Sequence, residues 1–504
     1  MSYDPALVAV PGPAAVDEDH GHWWTGLALE QLTDPAMAQF WADPATQDAI
    51  VATEVALRRE LVAAERDSSS EGPVFDLATG REGGPRTPVY ESLARHLYRR
   101  ALTLANTVTD VKGAAREVIA ARVVDEFLGL GPIAPIVQDP RVTDVMVNAA
   151  GVVFFDRDGQ RSACPAARFR DADHLYDVVE RYLLAMNRQL TSVTPLVDGR
   201  LPDGSRINVT HQVVTGEVTV TIRRFPMHTW TLIDLIERGA MSQELALELG
   251  AMVRGRLSLL VAGGTGTGKT TLLNAISGCA HLTDRIVTVE DSRELRLHPA
   301  ATNVIHMQAR PGTATVDPLT MKDLVRNALR MYPDRIIVGE VRDGVVVDML
   351  QAASTGHEGS MSTIHANTVP DTIHRIVMLS AQSGVELSDA RVRDAIGVAI
   401  DVVVAVQRFP DGVRRVTEVT ELLFDRDTHT ITYHPLWVWS PVQGAHVKCA
   451  DLTEARARRQ RAQCPDPLTR ADLDAIAEAA RVADAQRLAA SMAGRPVERL
   501  VVAS

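Results

Sequence analysis

Apolar positions along the chain change period several times, and each change marks an element. Ile50, Val51, Val55, Leu57, Leu61 and Val62 fall near helical spacing, which predicts an amphipathic helix over 45–65 that docks on a partner the sequence does not name. Helical periodicity returns over 90–130 and stops at Gly129-Leu130-Gly131-Pro132, where glycines and a proline end a helix. Between 141 and 226 the short β-type runs VTDVMVN, VVFFDRDG and VTVTIRRF surround one helical stretch near 172–188, so a small α+β domain is expected. Further on, strand-like runs at 257–262, 286–289, 335–339 and 400–406 alternate with helical segments. That alternation predicts an α/β domain with a largely parallel sheet.

The stretches between these elements divide the chain. Residues 1–20, rich in Pro, Ala and acidic groups, and 66–88, rich in Gly, Pro and Ser, offer little to bury and read as tail and linker. Pro226–Thr231 is a candidate hinge. After about 440, PLWVWSP gives way to Arg/Ala-rich helical sequence whose charges read as a solvated face. The expected organisation is a tail, helix and linker over 1–88, a helical segment over 89–140, a small α+β domain over 141–226, an α/β domain over 227–440 and a helical extension over 441–504. A length of 504 residues suits two to four such units at roughly 100–200 residues per domain.

Chemistry concentrates in the α/β region. LSLLVAGGTGTGKTTLLNAIS carries G-x-x-x-x-G-K-T as Gly263, Gly264, Thr265, Gly266, Thr267, Gly268, Lys269 and Thr270, with Thr271 following; an apolar strand precedes it and a helix begins within it. Each residue type has a physical task. Glycines let backbone N–H groups curl around phosphate oxygens, and the helix N-terminus adds a positive dipole. Lys269 neutralises β/γ charge and the Thr270 hydroxyl ligates Mg²⁺. ATP with Mg²⁺ is the expected ligand. Ile336-Ile337-Val338-Gly339-Glu340 is an apolar strand that delivers a carboxylate at its carboxyl end, a Walker B arrangement. Hydrolysis also needs a carboxylate to orient water, and IVTVEDSREL supplies Glu290, Asp291 and Glu294 on the turn after a strand; Glu294 is the candidate base, against the alternative of an ordinary surface turn. In TGHEGSMSTIHAN, His357 and His365 lack the further ligands a metal would need, so they form either a polar relay from the nucleotide or a pair of structural histidines.

Composition narrows the classes. No stretch reaches the ~20 consecutive apolar residues that span a bilayer, and the first residues have no basic segment, so a cytoplasmic location is expected. A net charge of −12 opposes non-specific attraction to DNA or anionic lipid over the whole surface. Cys164, Cys279, Cys449 and Cys464 are scattered without the paired spacing of a zinc site or redox dithiol.

GGTGTGKTT, VTVEDSREL, RIIVGEVRD and TGHEGSMSTIHAN follow one another in the order of Walker A, Asp box, Walker B and His box. The chain thereby resembles the type II/type IV secretion ATPase superfamily. FLGLGPIAPIVQDPRVTDVMVN and DGRLPDGSRINV look like its CpaF-type branch, which powers tight-adherence pilus assembly and related secretion; the likeness spans about 90–425. The resemblance implies a homo-hexameric ring whose subunits pair a PAS-like N-terminal domain with a RecA-like P-loop domain, ATP lying between the two. It also implies docking on an inner-membrane platform protein, with membrane contact made through partners and no specific nucleic acid. Carried over residue by residue, Glu294 looks like the catalytic glutamate, Glu340 the Walker B carboxylate and His365 a sensor. Arg206 in PDGSR and Arg223 in TIRRF match positions that reach phosphates when the domains close. A DNA-translocating conjugative motor and a nucleotide-gated scaffold with little hydrolysis remain alternatives. The chain departs from the family pattern at Val345, where an acidic residue is usual after GEVRD, and over 1–88 and 441–504.

Overall fold

The computed structural model describes residues 29–66 and 88–492, apart from 110, 112, 140, 158, 187, 202–203, 225–227, 298–300, 302 and 311–316. The tail 1–20, most of the linker 66–88 and the start of the expected hinge lie outside the described residues. Two compact units divide at 227/228.

Among the described residues, the first unit holds six strands: β1 (Val142–Ala149), β2 (Val152–Arg157), β3 (Gln160–Ala163), β4 (Leu196–Arg200), β5 (Arg206–Thr210) and β6 (Thr219–Arg223). They form an antiparallel sheet in the order β3-β2-β1-β6-β5-β4. Alternate residues, Val145 and Val147 on β1, Ile207 and Val209 on β5, and Val220 and Ile222 on β6, are buried, as one covered face of an antiparallel sheet requires. The helix Ala172–Ala185 is capped by Asp171, whose carboxylate accepts from the His174 N–H at 2.7 Å.

Residues 45–65 fall in the helix Pro44–Arg66, and the structure supplies its partner: the helices Pro88–Val108 and Ala114–Leu128. Leu57, Leu97, Ala101, Ile119 and Val123 from these three helices share one core with the sheet residues. The helical segments and the α+β region are therefore one packed body, since each helix has an apolar stripe that only the others can cover.

Among the described residues, nine strands build the second unit: β7 (Leu259–Gly263), β8 (Ile286–Glu290), β9 (Val304–Gln308), β10 (Arg335–Val341), β11 (Met361–His365), β12 (Val402–Arg408), β13 (Arg414–Asp425), β14 (Thr430–Ser440) and β15 (Ala445–Lys448). Their order is β15-β14-β13-β12-β7-β11-β10-β8-β9. The block from β12 to β9 is parallel and the remainder is an antiparallel meander. Every residue of β7 and β8 is buried, because helices cover both faces. One face carries Gln243–Arg254, Lys269–Ser277 and part of Arg470–Met492; the other carries Met321–Ala328, Val345–Ser354, Val369–Ser380 and Asp389–Ala399.

The C-terminal region departs from the expectation of a solvated extension beyond 440. β15 pairs with β14, and Leu473 and Ala477 pack into the core beside the helix Lys269–Ser277. Arg456 donates to Asp401 at 2.8 Å and to the fully buried Glu421 at 2.9 Å. Arg456 and Arg459 thus serve as counter-charges for carboxylates buried at the sheet, which local sequence cannot reveal, while Arg458 and Arg461 stay on the expected solvated face. Among the described residues, no helix is long and apolar enough to cross a membrane.

Candidate nucleotide site

In an open parallel sheet, ligands meet the carboxyl ends of the strands where the chain order switches direction. Here β7 lies between β11 and β12, and β11 separates it from β10. At that edge β7 passes at Gly263 into the glycine loop. Gly268, with φ +92°, turns the chain into the helix Lys269–Ser277. A side chain at Gly263 has no room: a Cβ there would stand 2.6 Å from the Val406 carbonyl. A helix start leaves its first backbone N–H groups without intrahelical partners, and behind a glycine loop such groups suit phosphate oxygens. Thr270 and Thr271 sit half-buried on the first helical turn.

Lys269 is buried, and its ammonium donates to the Gly264 carbonyl at 2.9 Å; the Thr267 hydroxyl donates to the same oxygen at 2.9 Å. Burial pulls the ammonium below its ordinary pKa, and the nearby Glu340 charge opposes that shift. Thr265 reaches the His365 Nε2 at 3.2 Å. Register explains the meeting: His365 is the β11 partner of Gly263. His365 Nε2 also stands 4.0 Å from the Glu340 carboxylate. Burial and the Lys269 charge lower the imidazole pKa, so the ring is predominantly neutral near pH 7. Glu340 accepts from Arg342 Nε at 2.8 Å and sits where the β10–β11 register slips between Val338 and Val341. Such a bulge re-aims a side chain at a sheet edge.

Not every candidate converges. His357 precedes β11 and bonds through Nδ1 to the Pro333 carbonyl at 2.9 Å. Since Met361 pairs with Leu259 at the amino end of β7, His357 lies at the opposite sheet edge from His365, and the relay through both histidines does not form. Arg206 and Arg223 belong to the first unit, as register partners on β5 and β6, with Arg223 Nε donating to Asp144 at 2.9 Å. Val345 is buried as the first residue of its helix, and Asp348 one turn later accepts from Arg326 at 2.8 Å.

Two features of the site carry no sequence signal of their own. Arg414 on β13 donates from Nε to the Gly266 carbonyl at 2.9 Å, bringing a cation from the antiparallel hairpin to the phosphate loop. Nothing in RFPDGVRRV marks that arginine out, because the β12–β13 pairing alone aims it. Glu290, which the sequence presents only as a neighbour of Glu294, is 2% exposed. Its Oε1 accepts from the N–H groups of Glu294 at 2.7 Å and Leu295 at 2.8 Å. Glu294 itself is half-buried on the turn that follows.

Burial pushes the Glu290 carboxyl up to about 7, against the two N–H bonds that favour its ionised form. The folded chain therefore holds a proton that the unfolded chain releases near 4.5. Stability from this group is full below pH 4.5 and is lost as pH rises towards about 7, a loss of roughly 3 kcal/mol. Glu290→Gln is expected to flatten that part of the stability profile, read from urea midpoints across this window.

The sequence profile of a family described as type II/IV secretion system protein matches residues 126–456, about two thirds of the chain. The chain belongs to that family. Its relatives include conjugal transfer protein TrbB of Rhizobium radiobacter, 32% identical over 301 residues that cover 59% of this chain and 88% of that protein. Type IV secretion system protein PtlH of Bordetella pertussis is 32% identical over 304 residues, 54% of this chain and 88% of that one. Among solved structures, the VirB11 ATPase of the Brucella suis type IV secretion system, in complex with sulphate, is 29% identical, covers 60% of this chain and 94% of that one, and superposes with a TM-score of 0.32. Membership in the secretion family places the glycine loop, the Glu340 strand and the His365 strand inside the matched span.

Proposed function

We propose that this chain is an ATP-hydrolysing, homo-hexameric motor that powers pilus assembly or protein secretion from the cytoplasmic face of the inner membrane. One observation carries the reading: Lys269, Glu340 and His365, from three different elements, surround one phosphate loop at the carboxyl edge of a parallel sheet. Lys269 and the N–H groups of the helix head hold the triphosphate. The Thr270 hydroxyl would hold Mg²⁺, which would supply positive charge to the triphosphate. Glu294 orients the attacking water and accepts its proton, and Glu340 completes the polar wall beside Lys269. Arg206 and Arg223 stand as candidate phosphate contacts on the resemblance alone. The branch assignment to CpaF-like motors, a PAS-like ancestry for the six-stranded unit and docking on a membrane platform protein belong to the same reading. The phrases FLGLGPIAPIVQDPRVTDVMVN and DGRLPDGSRINV support the branch.

A test follows from separating binding from turnover. Glu294→Gln is expected to lower Mg²⁺-dependent phosphate release by about 10²-fold or more while nucleotide affinity changes little, since the phosphate loop is untouched. Wild-type turnover in that variant removes the catalytic assignment; a wild-type chain that binds ATP and releases no phosphate is instead a nucleotide-gated scaffold. A DNA-translocating motor is the second reading, favoured by the conjugal-transfer relatives. It requires ATPase stimulation by DNA that falls steeply with salt.

A further inference from the structure

We propose that Glu290 and Asn274 are positioning residues that set the Glu294 carboxylate against the P-loop helix through the backbone of the turn 291–297. The proposal rests on the assignment of Glu294 as the residue that orients the attacking water.

Between β8 and residue 297 the chain forms neither helix nor strand, so its backbone N–H groups need partners from elsewhere. Three consecutive ones find buried side-chain oxygens. Glu290 Oε1 takes those of Glu294 and Leu295, and Asn274 Oδ1 takes that of Arg296 at 2.8 Å. Asn274 lies on the helix Lys269–Ser277 and is itself buried. The turn is thus pinned at one point to the end of β8 and at another to the helix that carries Lys269 and Thr270. Leu295 and Leu297 anchor it in the core on the same side.

The neighbouring strand makes room for this arrangement. A Cβ on Gly339 of β10 would stand 3.1 Å from the Glu290 Cγ, so the strand is narrow where Glu290 passes. A buried carboxylate carries a desolvation cost that an apolar residue at the end of β8 would avoid. What the carboxylate provides is one oxygen able to hold two adjacent N–H groups, which no aliphatic side chain offers. Glu294 is the first of the three pinned residues, so its side chain starts from a fixed point relative to the phosphate loop. Small displacements of such a group cost rate far more than they cost binding.

Steady-state phosphate release by the full-length chain, with kcat and KM separated, tests the role. Glu290→Ala and Asn274→Ala are expected to lose roughly 10–100-fold in kcat with KM for Mg-ATP within about threefold. Glu290→Gln and Asn274→Asp, which keep an acceptor oxygen in place, are expected to recover kcat to within about threefold of wild type. A merely structural role does not produce that split with rescue. Thermal melts check folding, and if Glu290→Ala does not fold, the two Asn274 variants decide. Alanine variants with wild-type kcat, a loss carried by KM, or conservative variants as impaired as alanine would each overturn the proposal. Glu294→Gln measured alongside separates the two claims. If it is inactive while the alanine variants are fully active, only the positioning role falls; if it turns over normally, both fall.

Discussion

Lys269→Ala is expected to lose at least about 10²-fold in Mg²⁺-dependent ATP turnover, the scale found when a preorganised charge partner of a transition state is removed. The ammonium is buried within the loop and held at 2.9 Å on the Gly264 carbonyl, so it is already desolvated and oriented. Under the proposed function, charge developing on a transferred phosphoryl group would meet a cation in a low-dielectric setting, where Coulomb attraction is strong. Alanine leaves the Gly264 carbonyl bonded to Thr267, so the loop keeps its shape while the charge is lost. Calorimetry with Mg-ATP should show weakened binding and a phosphate assay the lost turnover, with the melting curve unchanged. A variant that hydrolyses ATP at the wild-type rate would sink the reading of this loop as a catalytic phosphate site.

Asp284→Ala is expected to cost about 3–5 kcal/mol of stability, the range for a buried charge stripped of its partner. Arg335, at the start of β10, is fully buried and donates to Asp284 at 2.6 Å and to the Val253 carbonyl at 2.7 Å. Arg256 reaches the other Asp284 oxygen at 2.5 Å. Burial alone would raise the Asp284 carboxyl; the two guanidiniums overcome it and hold the group below its ordinary value. Gly359, with φ +80°, admits the arrangement, since a Cβ there would stand 2.5 Å from the Arg335 guanidinium. Removing the carboxylate strands a guanidinium that cannot shed its proton. Replacing both partners by apolar residues, Asp284→Leu with Arg335→Met, should recover much of the loss. Urea midpoints give both values; a single variant as stable as wild type would show that the pair contributes nothing. This cluster sits at the amino edge of the sheet, so nucleotide affinity should not change.

Much of the site is local in origin and is legible in the chain itself. The apolar run ending at Gly263, the glycine spacing and the helix beginning at Lys269 are consecutive in the chain, and their geometry follows from φ freedom and helix-terminus physics. The strand that carries Glu340 is likewise a continuous apolar run, as a strand buried on both faces must be. Strands β9, β13 and β15 leave no clear period, being short or half-polar, and β11 shows only as a β-type run after a glycine loop.

Residues that act through long-range pairing lie beyond such local patterns. Sequence pattern singles out His365 together with His357, yet only the insertion of β11 between β7 and β10 decides that one histidine meets the phosphate loop while the other faces the far edge. Arg456 has the pattern of a solvated charge, and the sheet places Asp401 and Glu421 beneath it. Glu290 stands in the sequence as a companion of Glu294 and in the fold is the buried acceptor that holds its backbone. By itself the sequence determined the buried parallel strands β7, β8, β10 and β12, the phosphate loop that follows the first of them and which residues carry charge, because period and motif are properties of neighbours along the chain. Which charges meet was decided by tertiary structure alone, since sheet order and register join residues that lie a hundred positions apart.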